Sequence, residues 1–260
     1  MNAGDRRFFC AYNSGMTRPA LKPGDILYCD DHLLVVNKPA GVPVHGSRML
    51  EGRPDTLLAM VREATGRMVH AAHRLDRPVS GALLMAFDKE TLAALSQAFE
   101  LHEIDKRYLA VARGWTETQG LIDYPLRPPR DERRETDEAR EASTRYKRLA
   151  TVELPFEVPP YASARYSLLE LEPVTGRRHQ LRRHLKHISH HLVGDTTYGK
   201  GEHNRLFRDR FDCDRLLLHS QSLVFPHPIE GQRVTVTAPL DGPFEKVRDL
   251  FHPAAEYSCQ

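Results

Sequence analysis

Residues 73–81 read His-Arg-Leu-Asp-Arg-Pro-Val-Ser-Gly, and the rest of the chain can be placed outward from this stretch. Pro78 prevents a regular helix here, and Gly81 permits a tight turn before the apolar run Ala82–Phe87. The pattern predicts a loop that carries Asp76 and leads into a strand. Loops of this kind often hold the side chains that do chemistry.

Asp76 lies in the chain between two guanidinium groups, those of Arg74 and Arg77. A nearby opposite charge favours the ionised form of a carboxylate, so Asp76 is expected to be charged and available as a nucleophile or a base. Ion-paired carboxylates with a purely structural role are also common in proteins. Sequence position alone therefore leaves a second interpretation open, in which Asp76 braces a turn.

Two later segments carry further candidate side chains. Residues 106–114 read Lys-Arg-Tyr-Leu-Ala-Val-Ala-Arg-Gly and alternate as a strand, which places Lys106 and Tyr108 on one face. Residues 175–184 read Thr-Gly-Arg-Arg-His-Gln-Leu-Arg-Arg-His and predict a helix after a glycine turn. Residues 177–191 include five Lys or Arg, five His and no acidic residue, which indicates a surface for polyanions. A merely solvated basic helix would have the same composition.

Together these segments resemble the RluA family of RNA pseudouridine synthases, whose motifs include H-R-L-D-x-x-T-S-G, K-x-Y and T-G-R-x-H-Q-L-R. The chain departs from the first motif at Val79, where the family usually has Thr. The family's N-K-P-x-G motif matches residues 37–41, and its H-P-I-x-G-D motif resembles residues 190–195 except that His191 replaces Pro. The resemblance covers about residues 25–250.

The resemblance implies roles for five side chains. Asp76 would be the catalytic residue, Arg182 would pair with its carboxylate, and Tyr108 would pack against the target uracil, with a part in proton transfer left open. Leu181 would pack in the active site, and Arg74 would contact RNA once the target nucleotide is flipped out. From its strand pattern alone, Tyr108 could equally be a packing residue, since strands are rich in tyrosine.

Lys38, Arg178 and Lys186 complete the expected substrate-binding set. Lys38 lies in the proline-containing segment 37–45, which predicts a rigid loop carrying the lysine, with an ordinary surface lysine as the alternative. Arg178, Arg182 and Lys186 recur every four residues and predict a basic stripe at a helix start, where anions bind favourably.

The histidines of the same segment make zinc binding an alternative. His184 and His187 are three residues apart and could share a helix face, but neither a carboxylate nor a third ligand follows at the usual spacing. The family needs no metal. We therefore expect neither a metal nor a cofactor.

The composition is that of an ordinary globular protein, with 260 residues of which 40% are hydrophobic and 28% charged. The net charge is +2, so binding of a nucleic acid would depend on where the charge lies. The four cysteines are far apart, form no C-x-x-C pair and fit a reducing compartment. No apolar run approaches the ~20 residues that span a bilayer. We expect a cytoplasmic monomer that needs neither a membrane nor a protein partner.

The expected architecture is an α+β fold in which helices and loops flank a mixed, largely antiparallel central sheet, as in the family's catalytic domain. Residues 1–24 would form a flexible extension too short for a separate RNA-binding domain, 25–252 the catalytic domain, and 253–260 a tail. A run of mixed charge at 127–141 predicts an exposed loop. The patterns predict strands at 26–29, 33–36, 82–87, 106–114, 143–152, 165–171 and 234–237, and residues 216–220 resemble the family's closing strand. Helices are predicted from a cap at Asp55 or Thr56 to Gly66, after Asp88, after Gly176 and near 244–251.

Pseudouridine formation detaches uracil at N1 and rejoins it through C5, and Asp76 would either attack C1′ or abstract a ribose proton. Residues 149–155 and 203–205 resemble the branch of the family that modifies tRNA at the base of the acceptor stem, at position 65. Ribosomal RNA or another tRNA arm is the alternative target. Two other classes stay open: a glycoside or nucleoside hydrolase, which usually needs two carboxylates, and a catalytically inactive RNA-binding module.

Overall fold

The computed structural model describes residues 21–22, 24–46, 56–129 and 137–252. Most of the expected N-terminal extension, the C-terminal tail and residues 130–136 of the charged run therefore lie outside the described residues. The described chain forms a ten-stranded sheet with five helices, which confirms the α+β prediction. Within it, no helix is long and apolar enough to cross a membrane.

The strands run in the spatial order β1-β2-β4-β9-β5-β8-β7-β6, with β3 added beside β4 and β10 beside β9. Their bounds are β1 Ile26–Cys29, β2 Leu33–Lys38, β3 His70–Ala71, β4 Ser80–Ala86, β5 Asp105–Arg113, β6 Gln119–Asp123, β7 Ser143–Leu154, β8 Ala164–Pro173, β9 Leu218–Pro226 and β10 Arg233–Thr237. Neighbouring strands pair antiparallel except β4 and β9, which are parallel. The sheet is therefore mixed and largely antiparallel, as predicted.

The helices are α1 Leu57–Thr65, α2 Lys89–Glu100, α3 Gln180–His187, α4 Gly201–Phe211 and α5 Gly242–Asp249. Capping side chains mark the starts of two of the predicted helices. The Thr56 hydroxyl accepts the Ala59 N–H at the start of α1, and the Asp88 carboxylate accepts the Thr91 N–H at the start of α2. Gly66 ends α1 with a φ of 66°, a conformation that glycine adopts without strain.

The sequence patterns do not predict helix α4, which includes the residues 203–205 that resemble one branch of the family. No side-chain cap marks its start, and its sequence Gly-Glu-His-Asn-Arg-Leu-Phe-Arg-Asp-Arg-Phe is mostly polar. The helix is held by tertiary packing, because Phe207 is buried in the same cluster as Tyr166 and Phe244.

Strands β4 and β9 approach each other unusually closely at Gly81. Its φ is 109°, and a Cβ atom added there would lie 2.2 Å from the carbonyl oxygen of Ser220. A side chain cannot be accommodated at that distance. Because β9 also pairs with β5, this contact places the loop that precedes β4 beside Tyr108.

Helix α3 packs against the sheet through an apolar face. Leu181 and Leu185 are buried, and Ile188 packs partly buried against the same cluster as Leu83 of β4 and Leu169 of β8. Burying one leucine contributes roughly 1.5–3 kcal/mol. The packing fixes α3 beside the residue 73–81 loop.

Candidate active site

Asp76 lies on an irregular loop just before β4, as the proline and glycine predicted. The N–H of Val79 donates to the carbonyl of Asp76 at 3.0 Å and closes a turn, while the N–H of Gly41 donates to the carbonyl of Arg77 at 2.9 Å. The Asp76 side chain stays 21% exposed. The carboxylate is thus held by its backbone and remains accessible to a ligand.

Lys38 is buried under this loop and binds it through a backbone carbonyl. Its side chain is fully buried, and Nζ donates to the carbonyls of Pro39 (2.8 Å), Val42 (2.7 Å) and Arg77 (3.1 Å). Burial lowers the pKa of Lys38 to about 7, and the positive charge of Arg215 adds to the effect. Both sequence interpretations, a substrate-binding residue and an ordinary surface lysine, place the ammonium at the surface and are wrong. Lys38 instead ties the 37–41 loop to the Asp76 loop.

The arginines adjacent to Asp76 in sequence are not its ion-pair partners among the described residues. Arg77 turns away and donates from Nε to the carbonyl of Gly41 at 2.9 Å. Arg74 is exposed at the mouth of the site. Sequence adjacency was therefore a poor guide to which guanidinium holds the carboxylate.

Arg182 of α3 supplies that guanidinium. Its Nη1 lies 3.1 Å from Oδ2 of Asp76, although 106 residues separate the two in the chain. Its Nε and Nη2 donate to Oδ2 and Oδ1 of Asp195 at 2.8 and 2.9 Å. Arg182 therefore bridges a buried carboxylate and an accessible one.

Asp195 is a buried site residue that the sequence interpretation missed, as it also missed His179 and Tyr198. It is 2% exposed, and its Oδ1 also accepts the N–H groups of Thr197 and Tyr198, both at 2.9 Å. Burial opposes ionisation of Asp195, but the hydrogen bond and charge of Arg182 and the two backbone N–H groups outweigh it and lower the pKa. Gly194 and Asp195 lie in the segment 190–195 that resembles a family motif, yet nothing local in the sequence links that carboxylate to Arg182.

His179 and Tyr198 form a second contact around Asp76. Nε2 of His179 lies 3.8 Å from Oδ2 of Asp76, and its Nδ1 is 2.9 Å from the hydroxyl of Tyr198. The Tyr198 ring centroid is 5.0 Å from the Arg182 guanidinium. His179 has a left-handed φ of 56° at the N-cap of α3.

Tyr108 projects from β5 into the same site. It is buried, with 8% of its surface exposed, and burial together with the charge of Asp76 raises its pKa to about 12, although Ser220 acts in the opposite direction. The phenol is therefore neutral at physiological pH. It can pack against a flat ring or donate its O–H, but it is not ionised to act as a base.

These side chains line a cleft of about 660 Å³. The predicted residues that reach it are Arg74, Asp76, Tyr108, Arg178, Leu181 and Arg182. A second cavity of about 540 Å³ shares the wall formed by Arg74, Asp76, Arg178 and Arg182 and extends to His45 and Thr197. Two adjoining depressions on either side of Asp76 suit a chain molecule that passes over the site.

The predicted basic stripe on α3 does not exist as one surface. Arg178 precedes the helix, Arg182 is 4% exposed and engaged by two carboxylates, and Lys186 is exposed but does not line either cavity. The period of four was correct for a helix. It could not show that the middle arginine turns inward.

The histidines considered as zinc ligands have other contacts. Nδ1 of His184 lies 2.9 Å from the Thr144 hydroxyl and Nε2 lies 3.0 Å from the carbonyl of Tyr124. The His187 ring stacks on Tyr124 with centroids 3.7 Å apart. Among the described residues, no group of three or more His, Cys, Asp or Glu is placed to hold a metal ion.

Comparisons with known proteins agree with this geometry. A family model described as RNA pseudouridylate synthase matches residues 32–187. The chain is 42% identical over 258 residues to tRNA pseudouridine synthase C of Pectobacterium carotovorum subsp. carotovorum, covering 95% of this chain and 69% of that protein. It is 43% identical over 222 residues to the protein of the same name from Vibrio cholerae serotype O1, covering 84% and 91%.

A solved structure has the same fold. Human RNA Pseudouridylate Synthase Domain Containing 1 superposes with a TM-score of 0.63 at 26% identity, covering 88% of this chain and 97% of that one. The human Domain Containing 4 protein gives a TM-score of 0.65 at 24% identity, covering 87% and 92%, and is similar in fold. The family model matches more than half of the chain, an arginine holds an accessible aspartate, and a buried tyrosine lies beside them. This chain therefore belongs to the RNA pseudouridylate synthase family.

Proposed function

We propose that this RNA pseudouridine synthase isomerises a uridine of tRNA, with Asp76 as the catalytic carboxylate. The observation that carries the proposal is the position of Asp76, which opens into the cleft while Arg182 holds one of its oxygens at 3.1 Å. Tyr108 and Leu181 line the same cleft and offer flat and apolar surfaces to a base. A charged group that is fixed in place before the substrate binds has little reorganisation left to do.

The reaction needs only groups that the chain supplies. The bond between N1 of uracil and C1′ of ribose breaks, a bond between C5 and C1′ forms, C5 loses a proton and N1 gains one. No electrons are exchanged with a third molecule, so we propose that no cofactor takes part. Asp76 would act either by attacking C1′ or by removing a ribose proton, and both routes require the ionised carboxylate.

The target nucleotide must leave its stack to reach Asp76, which costs a few kcal/mol. Arg74 is exposed and lines both cavities, so it is positioned to contact the RNA where the nucleotide has left. Arg178 also lines both cavities and would contact the adjoining backbone. Lys186, which lies outside them, would add a more distant phosphate contact.

The choice of tRNA rests on relatives of which several are named tRNA pseudouridine synthase C, at 42–43% identity in the two cases above. We propose a uridine near the acceptor stem as the target and ribosomal RNA as the second candidate. The enzyme would act as a cytoplasmic monomer without a protein partner.

The test is to delete the protein from its host and map pseudouridine in total tRNA and ribosomal RNA. Loss of one acceptor-stem uridine modification, restored by the wild-type protein but not by Asp76→Asn, is the expected result. An intact tRNA profile with a missing ribosomal site would overturn the choice of tRNA. Release of free uracil from RNA by the purified protein would overturn the isomerase mechanism itself.

A further inference from the structure

The cleft that contains Asp76 also includes a group of side chains that the proposed chemistry does not use. His73, Phe99 and Lys106 line it together with the exposed residues Glu100 and His102. They come from the end of α2, the start of β5 and the beginning of the catalytic loop. The cleft of about 660 Å³ therefore extends past the residues around Asp76 to this second group.

Lys106 lies two residues before Tyr108 on β5, and both side chains line the cleft. Burial lowers the pKa of Lys106, although Asp105 opposes the shift. The Asp105 carboxylate is instead bound by Arg233 at 2.7 Å. Among the described residues, no carboxylate forms an ion pair with Lys106, although the exposed Glu100 lines the same cleft. A partly desolvated ammonium without a carboxylate partner is a favourable place for an incoming anion.

An aromatic pair lies next to this ammonium. The Phe99 ring centroid is 5.8 Å from Nζ of Lys106 and 4.9 Å from the His73 ring, at an interplanar angle of 41°. Nε2 of His73 accepts the N–H of Leu84 at 3.1 Å, so the ring is the neutral tautomer protonated at Nδ1. Burial also lowers the pKa of His73 to about 3. The pair therefore offers flat, uncharged surface beside a single positive charge.

We infer that His73, Phe99 and Lys106 form a second nucleotide subsite, in which Lys106 binds an RNA phosphate adjacent to the target uridine and the aromatic pair contacts the neighbouring base. The inference rests on the proposed function, because it places RNA in the same cleft as Asp76. A phosphate is the anion that an RNA strand presents at every nucleotide, and unstacked bases favour aromatic side chains. The subsite would hold the strand in place while the target nucleotide is turned toward Asp76.

Lys106→Met tests the charge, because it keeps an unbranched stem and removes the ammonium. With purified tRNA substrate, KM should rise about tenfold, the size expected for one charge-assisted contact, while kcat stays within about twofold. The slope of log affinity against log salt should fall by about 0.7–0.9, the value of one phosphate contact. Lys106→Arg should restore most of the affinity. Lys246→Met, which removes an exposed lysine of α5 outside the cleft, is the matched control and should change neither quantity.

The phosphate itself can be located with substrates that carry one neutral methylphosphonate linkage, moved stepwise around the target uridine. At the linkage that Lys106 contacts, the neutral methylphosphonate should weaken binding by the wild-type protein about as much as Lys106→Met weakens binding of the natural substrate. The same methylphosphonate should weaken binding by Lys106→Met only slightly further, because the contact is already lost. The subsite would be overturned if Lys106→Met left the salt slope and KM unchanged. It would also be overturned if, at every linkage, the affinity lost through the methylphosphonate simply added to the affinity lost through Lys106→Met.

Two further measurements distinguish the loss of a phosphate contact from a loss of protein stability and from a failure of the proposed function. If Lys106→Met lowers the thermal midpoint, Lys106→Gln is measured in its place, provided that its midpoint is unaltered. The inference fails unless Lys106→Gln reduces the salt slope by the same amount. If the wild-type protein binds tRNA but modifies none of it, the proposed function fails, while the salt slopes still decide whether Lys106 contacts phosphate.

Discussion

Arg182 contacts Asp76 through Nη1, the one guanidinium nitrogen that does not bind Asp195. The distance to Asp76 is 3.1 Å, whereas Nε and Nη2 lie 2.8 and 2.9 Å from the Asp195 carboxylate. Asp195 is buried and fixed by two backbone N–H groups, so it determines the plane of the guanidinium. The accessible carboxylate is thereby positioned by a buried one through a planar, five-donor side chain.

Asp195→Asn is expected to lower kcat by more than about tenfold while tRNA affinity changes little, since the substitution loosens Arg182 without removing a cleft residue. The side chain keeps its shape but loses the charge that compensates the buried guanidinium. Single-turnover kinetics and a binding titration on the same preparation would check this. A kcat equal to that of the wild-type protein would show that Arg182 needs no support from Asp195. Asp209→Asn, at an exposed ion pair on α4, is a matched control.

Arg182→Lys should be less harmful than Arg182→Met, because lysine keeps the positive charge but cannot bind two carboxylates with a planar fork. We expect Arg182→Met also to destabilise the fold by about 3–5 kcal/mol, since it leaves Asp195 buried without its partner. Chemical denaturation and pseudouridine assays at one temperature give both numbers. Equal, near-wild-type rates for the two variants would remove Arg182 from the active site.

The lowered pKa of Lys38 predicts that the free energy of unfolding depends on pH. Its pKa is about 7 in the folded protein and ~10.4 in the unfolded chain, so unfolding takes up a proton between these values. The free energy of unfolding of the wild-type protein, relative to Lys38→Met, should therefore rise as the pH is raised from 7 to 9. Urea titrations of both proteins at the two pH values provide the test. A constant difference would mean that Lys38 has the same pKa in the folded and unfolded states.

Gly81→Ala should be strongly destabilising, because its Cβ would lie 2.2 Å from the Ser220 carbonyl oxygen where β4 and β9 pair. The left-handed φ of 109° adds backbone strain. We expect a lower thermal midpoint together with reduced activity, as this contact positions the loop that carries Asp76. Gly242→Ala, where an added Cβ meets no atom within 4 Å, is the control. Equal midpoints for the two variants would contradict the close approach.

Much of this arrangement could be predicted because its signals are local. Alternation indicated β5 and placed Lys106 and Tyr108 together, capping residues marked α1 and α2, and motif resemblance joined Asp76 to Arg182 across the chain. These inferences depend on periodicity, capping residues or a known motif, and each of these signals is contained in a short stretch of sequence.

The inferences that failed depend on burial and on contacts made only in the folded chain. Lys38 is a lysine beside prolines, and nothing in that segment shows that three carbonyls converge on its Nζ. Asp195 lies in an irregular loop, where no period relates it to Arg182. Helix α4 carries no side-chain cap at its start and is recognisable mainly through the packing of Phe207.

The most direct measurement is pseudouridine formation by Asp76→Asn with saturating tRNA under single-turnover conditions, alongside the dissociation constant for the same RNA. The substitution keeps the size of the side chain and removes the charge that both chemical routes require. We predict no detectable pseudouridine, with tRNA affinity within about threefold of the wild-type protein and an unchanged thermal midpoint. A rate within about tenfold of wild type would contradict the assignment of Asp76 as the catalytic carboxylate.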